Sequence, residues 1–147
     1  MRNKKFTLKE SWVWEEPVTK KVQELIKGRS LNVCCGENKI GDVLVDMDPK
    51  TDEVIKADMN ELPFKDNEFD TVVSDPPWKI NYFHRMKPFF ECVRVCKVGG
   101  RIIYNATWLP ESKVVELEKI FVRQSARFGN VSIISIFKKI KDVSEIK

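Results

Sequence analysis

The junction between Phe69-Asp70-Thr71-Val72-Val73-Ser74 and Asp75-Pro76-Pro77-Trp78 constrains the fold of this chain more than any other stretch. An apolar, β-branched run bounded in this way predicts a buried strand. Two consecutive prolines end it, because each fixes φ near about −65° and offers no N–H to a sheet ladder. Asp75 therefore stands at the carboxyl end of a strand, where open α/β sheets bind their ligands. The four residues after the strand combine a carboxylate, carbonyls held in set directions and an aromatic face, which are the parts needed to hold a planar amine. Asp75 and the Pro76 carbonyl can accept from the two N–H groups, drawing them out of the ring plane and restoring the nitrogen lone pair. Trp78 offers a stacking surface, a contact worth about 1–3 kcal/mol in single-stranded nucleic-acid sites. Read alone, the run serves equally as an ordinary turn, since Asp and Pro are common turn residues.

Upstream, Leu31–Cys35 and Asp42–Asp46 predict two further strands around the turn Gly36-Glu37-Asn38-Lys39-Ile40-Gly41. Gly36 permits close approach of the backbone to a ligand, and Asp46 ends its strand where a carboxylate can accept from ribose hydroxyls. Only Glu37 to Gly41 separate the two strands, too few residues for two helical turns at about 3.6 residues per turn. Helical patterning appears over Glu15–Lys27, with Pro17 in the first turn and Gly28 after the end, and over Arg85–Lys97, starting in earnest near Pro88. Arg101–Tyr104 predicts a strand, Pro110–Glu118 a helix, and Ile120–Val122 and Val131–Phe137 a closing hairpin with Gly129-Asn130 at its turn.

The ordered set Cys34-Cys35-Gly36, Val45-Asp46, Ala57-Asp58 with Leu62-Pro63-Phe64, Phe69-Asp70, Asp75-Pro76-Pro77-Trp78 and Val98-Gly99-Gly100 resembles the class I S-adenosylmethionine-dependent methyltransferases. Within them it resembles the amino-methyltransferases of the Asp-Pro-Pro-Trp type, which modify adenine N6 or cytosine N4. The likeness is close over Leu31–Tyr104. It implies an α/β, Rossmann-like domain spanning residues 1–147, with a mostly parallel sheet, a C-terminal antiparallel hairpin and no helix after the glycine loop. It also implies S-adenosyl-L-methionine as cofactor, with Cys35 and Gly36 at its methionine part, Asp46 at its ribose, Asp58 and Met59 at its adenine, and Cys34 and Met47 beside them. Asp75, Pro76, Pro77 and Trp78 would hold the target amine, adenine N6 ahead of cytosine N4. The family's loop carries several glycines, and here a cysteine fills one of those positions. A protein glutamine or small amine is the alternative acceptor, although that subgroup more often carries Asn-Pro-Pro-Tyr. A non-catalytic nucleic-acid-binding or partner subunit on the same fold is the alternative from another class.

Charge is divided along the chain. Residues 1–30 carry a net +4, residues 31–80 a net −7 and residues 81–147 a net +7. The acidic part coincides with the half assigned to the positively charged cofactor. The basic flanks, among them Arg85, Lys87, Arg94, Arg123, Arg127 and Lys138-Lys139, could line a DNA or RNA strand, or they are ordinary solvated surface. The four cysteines match no usual zinc spacing and only His84 could join them, so buried thiols rather than a metal site are expected. No run of about 18 apolar residues and no signal-peptide core appears, so a soluble, cytoplasmic protein is expected. With 147 residues leaving little room for a target-recognition domain, a homodimer or a heterodimeric partner is plausible. His84, Lys79, Asn81, Tyr82, Phe83 and Asn105 are near-site candidates that read equally as loop or surface residues. Trp12 and Trp14 read first as core, with capping of the cofactor pocket as the sharper alternative.

Overall fold

The computed structural model describes residues 14, 16–77, 79–124 and 131–146. Trp12, Trp78, Arg127 and the Gly129-Asn130 turn lie outside them. Seven strands form one sheet in the order β3-β2-β1-β4-β5-β7-β6. The strands are β1 (Ser30–Val33), β2 (Val43–Asp46), β3 (Val54–Lys56), β4 (Phe69–Ser74), β5 (Cys96–Ala106), β6 (Val115–Gln124) and β7 (Val131–Lys139). The first five run parallel, while β7 runs antiparallel to both β5 and β6. The chain steps outward from β1 to β2 and β3, then returns to the other side of β1 as β4. That reversal creates the crevice at the carboxyl ends where α/β sheets bind ligands.

Among the described residues two α-helices cover the sheet, one on each face. Helix α1 (Glu16–Leu25) buries Val22 and packs Val18 and Leu25 against Val73, Ile103, Ile134 and Ile136. It is followed by Gly28 at φ +64°, where a Cβ would meet the Asp70 carboxyl at 2.6 Å. Helix α2 (Met86–Val95) buries Phe89, Cys92, Val93 and Val95 against Val72, Ile102, Tyr104 and Phe137. Val72 and Val73 serve opposite cores because successive strand residues point to opposite faces. Among the described residues no α-helix lies between β1 and β2, as the short Glu37–Gly41 spacing requires.

Three elements differ from the sequence expectation. Pro110–Glu118 is not a helix; it runs as loop and turn into β6, which pairs with β7 from Val115↔Lys139 to Gln124↔Val131. A register shift between Leu117 and Lys119 interrupts the strand's period-two alternation, so the segment reads as helical when viewed locally. Strand β3 is only three residues long, below what a pattern can reveal. Cys96 and Lys97 leave α2 and start β5, which bulges so that Phe69 pairs with Cys96 while Thr71 pairs with Arg101. Gly100 lies in that bulge, where a Cβ would stand 2.8 Å from the Asp70 carbonyl oxygen. No helix among the described residues is long and apolar enough to cross a membrane.

Candidate active site

The carboxyl edge of the parallel strands gathers the cofactor candidates. Cys34 follows β1 with φ +57°, in the left-handed region that favours glycine, and Gly36 adopts φ +53°. Cys34 is thus the residue that fills a glycine position of the loop. Its Sγ lies 3.6 Å from Met59 Sδ, which joins the ends of β1 and β3. Asp46 closes β2: its Oδ2 accepts from Gly36 N at 2.8 Å and its Oδ1 from Asp48 N at 2.9 Å. Each oxygen keeps a lone pair for a further donor. Asp58 Oδ1 accepts from the Asn60 backbone and side-chain nitrogens at 2.8 and 3.0 Å, while Met47 is exposed. Burial, reinforced by Cys92 and by the carboxylates of Asp46 and Asp75, pushes the Cys34 thiol well up, and burial with Asp46 pushes Cys35 up to about 11. Both are therefore neutral packing groups at physiological pH and not thiolate nucleophiles.

Asp75 is held from two sides. Trp14 Nε1 donates to Oδ2 at 2.6 Å and Asn105 Nδ2 donates to Oδ1 at 2.8 Å, while Asp75 N donates to Val33 O at 3.2 Å. Trp14 also donates its backbone N–H to Asn38 Oδ1 at 3.2 Å, so one residue ties the loop after β1 to the turn after β4. The core position expected of Trp14 is the one it takes. Its indole contact with Asp75 is invisible in the sequence, because 61 residues separate the partners and nothing local signals it. Asn105 reaches Asp75 itself. Beside this network the Tyr104 hydroxyl and Asn105 Oδ1 are buried without a hydrogen-bond partner among the described residues. Burial first, then Cys92, Cys34 and Asp75, raises the Tyr104 phenol, which therefore stays a neutral donor.

Pro76 and Pro77 do something different from Asp75. They line a cavity of about 140 Å³ together with Tyr82, Arg85, Tyr104 and Trp108, and Asp75 is not among its lining residues. The turn thus divides its labour: the carboxylate faces the α1 side and the prolines wall an aromatic chamber on the α2 side. Asn81 Oδ1 caps the single-turn 3-10 helix Tyr82–His84 by accepting from Phe83 N at 3.0 Å. Lys79, Asn81, Tyr82, Phe83 and His84 are exposed. Two cations expected along a nucleic-acid track are engaged elsewhere. Arg94 bonds Glu91, Asp66 and the carbonyls of Leu62 and Phe64, and Lys139 is fully buried.

Residues 32–104 match the model of a methyltransferase domain family. The chain carries a methyltransferase domain of the S-adenosylmethionine-dependent kind. The fold agrees. A TehB-like SAM-dependent methyltransferase from Corynebacterium glutamicum superposes with a TM-score of 0.60 at 18% identity, over 82% of this chain and 86% of that one. The N-methyltransferase NodS from Bradyrhizobium japonicum gives 0.62 at 8% identity, over 86% and 99%. The [4+2]-cyclase SpnF gives 0.62 at 13% identity, over 85% and 81%, so one architecture hosts other chemistry as well. No curated protein sequence matches the chain. The cofactor of this methyltransferase domain is S-adenosylmethionine, and the donor set suits it. Carboxylates at the ends of β2 and β3 match a diol, an amine and a positive charge, and the left-handed backbone at Cys34 and Gly36 leaves room for a close approach.

Proposed function

We propose that this domain methylates an exocyclic amino group of a nucleobase in DNA or RNA, adenine N6 ahead of cytosine N4. One observation carries the reading: the Asp75-Pro76-Pro77 turn stands at the carboxyl end of β4, beside the cofactor residues of β1, with its prolines walling an aromatic chamber the size of a planar ring. When bound, S-adenosylmethionine supplies an electrophilic methyl group on a sulfonium. The chain's own contribution is positioning. The Pro76 carbonyl, at the chamber wall, accepts from an N–H of the amine, and Asp75, held on the α1 side by Trp14 and Asn105, fixes the turn that presents it. Tyr104 and Trp108 form part of the wall around the ring. The extra amine proton then passes to water, so no general base is required. Single strands and loops suit this site, because a base in a duplex must first be unstacked at a cost of a few kcal/mol. A partner subunit or a second copy would add target recognition, and light scattering of the purified protein reads that directly.

The test is transfer of label from methyl-labelled S-adenosylmethionine to single-stranded DNA and RNA, followed by nucleoside analysis. N6-methyladenine is expected from the wild type, with at least about 10²-fold slower transfer by Asp75→Ala, the scale set by losing the preorganisation of one hydrogen-bond acceptor at a reacting centre. Equal turnover by the variant removes Asp75 from the chemistry. Label found only in protein or a small amine replaces the nucleobase acceptor.

A further inference from the structure

Among the described residues, the chamber walled by Pro76 and Pro77 is lined by one charged group, Arg85. Its guanidinium lies over the Tyr82 ring, 4.0 Å from the centroid, and over the Trp108 ring at 4.4 Å. Two aromatic rings hold the cation in place, and neither accepts through oxygen or nitrogen from its five N–H donors. Arg85 makes no ion pair among the described residues. The contrast with Arg94 is informative, since that side chain spends its donors on Glu91, Asp66 and two carbonyls. Among the described residues no carboxylate lines the chamber. A cation pre-oriented by two rings, half-buried, without an internal counter-ion, is arranged to meet an oxyanion from outside the chain, for which a planar fork gives a bidentate match.

We propose that Arg85 forms an oxyanion subsite in the acceptor chamber: the methyl acceptor carries an anionic group, read by the guanidinium held between Tyr82 and Trp108. This rests on the placement of the acceptor in that chamber. For a nucleic acid the anion is the phosphodiester next to the target base; for a small acceptor it is a phosphate or carboxylate of the same molecule. The subsite selects acidic acceptors, and it explains why aromatic and cationic groups are combined in a chamber beside an otherwise acidic cofactor half.

The probe is inorganic phosphate, titrated into the full chain saturated with S-adenosylhomocysteine at ionic strength held constant with chloride, and read by the indole N–H resonance of Trp108 in ¹⁵N-labelled protein. A saturable shift is expected, with affinity lowered about tenfold or more in Arg85→Gln, a loss of about 1.4 kcal/mol, and partly kept in Arg85→Lys. Unchanged S-adenosylhomocysteine affinity in the variants shows that the fold is retained. Absence of a saturable shift in the wild type overturns the subsite, and so does equal phosphate affinity in a folded variant. If both variants lose S-adenosylhomocysteine binding, the wild-type titration alone decides. The acceptor assignment is judged separately. Nucleobase methylation with no phosphate response at Arg85 removes the subsite and leaves that assignment standing. A phosphate response without methylation of any strand keeps the subsite and moves the acceptor to a small anionic amine.

Discussion

At the scale of single residues, the carboxylate of Asp75 matters as much for what fixes it as for what it touches. Trp14 and Asn105 each give it one hydrogen bond, and Trp14 extends the linkage to Asn38 in the loop after β1. Trp14→Phe keeps a buried ring and removes the donor. A hydrogen bond to a charged group is worth about 1.5–3 kcal/mol, so urea unfolding should show a loss of that order. Because the carboxylate can then turn, kcat should fall while S-adenosylhomocysteine affinity holds. A drop confined to stability, with kcat unchanged, would limit Trp14 to packing. Trp14→Phe combined with Asn105→Ala should be non-additive, since both act on one carboxylate. Cys34 poses the opposite problem, a side chain kept where backbone geometry prefers none. Cys34→Gly should remain folded, whereas Cys34→Val, β-branched at positive φ, should lose about 1–3 kcal/mol. Thermal unfolding of the pair decides it, and a Val variant as stable as the Gly variant would remove the constraint.

At the scale of elements, the C-terminal end of α2 shows how the sheet's last strand secures the helix. Lys139 on β7 donates from Nζ to Cys96 O at 2.7 Å, to Arg94 O at 3.4 Å and to Asn67 Oδ1 at 2.8 Å. A cation at the carbonyl end of a helix is favourable. Desolvation still lowers the lysine pKa, with Asp142 opposing that change. Lys139→Met preserves much of the packing volume but removes the amine from Cys96 O and Asn67 Oδ1, while Arg94 O keeps its bond from Asn67 N, so equilibrium unfolding should report a loss of about 1–3 kcal/mol for each acceptor left unpaired; a neutral substitution would mean that water replaces the amine. In the sequence this lysine belongs to a basic track, because a sequence shows its charge and not its burial. Elsewhere the elements are legible where their cause is local. The strand Phe69–Ser74 is bounded by its own prolines, α1 ends ahead of Gly28, and the missing helix follows from the Glu37–Gly41 spacing. The readings that fail depend on distant partners: β6 is extended because β7 pairs with it along its length, and Cys96 joins β5 because Phe69 lies opposite. Within the site, the ends of β1, β2 and β4 can be read from carboxylates and glycines. The Trp14–Asp75 and Arg85–Trp108 contacts cannot, since each joins residues that only the fold brings together.

At the scale of the whole molecule, a sheet covered by only two described helices places its thiols unusually close to the functional edge. Cys34 and Cys35 follow β1, while Cys92 lies on the buried face of α2 and Cys96 opens β5, and burial raises Cys92 and Cys96 each to about 12 and Cys35 to about 11, against an ordinary value of 9.0. Neutral thiols are compatible with the packed state; thiolates are not. In the unfolded chain these groups ionise near 9, and in the native state only at the raised values, so the unfolded state binds fewer protons across that window. Stability is therefore fully present below about pH 9 and falls as pH rises from about 9 toward 12. Each tenfold change in an ionisation constant between the two states corresponds to about 1.36 kcal/mol, so several kcal/mol are at stake across the set. Urea unfolding under reducing conditions at about pH 7, 9 and 11 should give similar values at the first two and a marked fall at the third. Lysine and tyrosine titration also acts above about pH 10, and Cys92→Ala separates the contributions. It lowers stability near neutral pH by leaving a small void but flattens the alkaline slope. An unaltered slope in that variant would assign the alkaline loss to the amines and phenols, and the thiols would then be passive fillers of the core beneath the site.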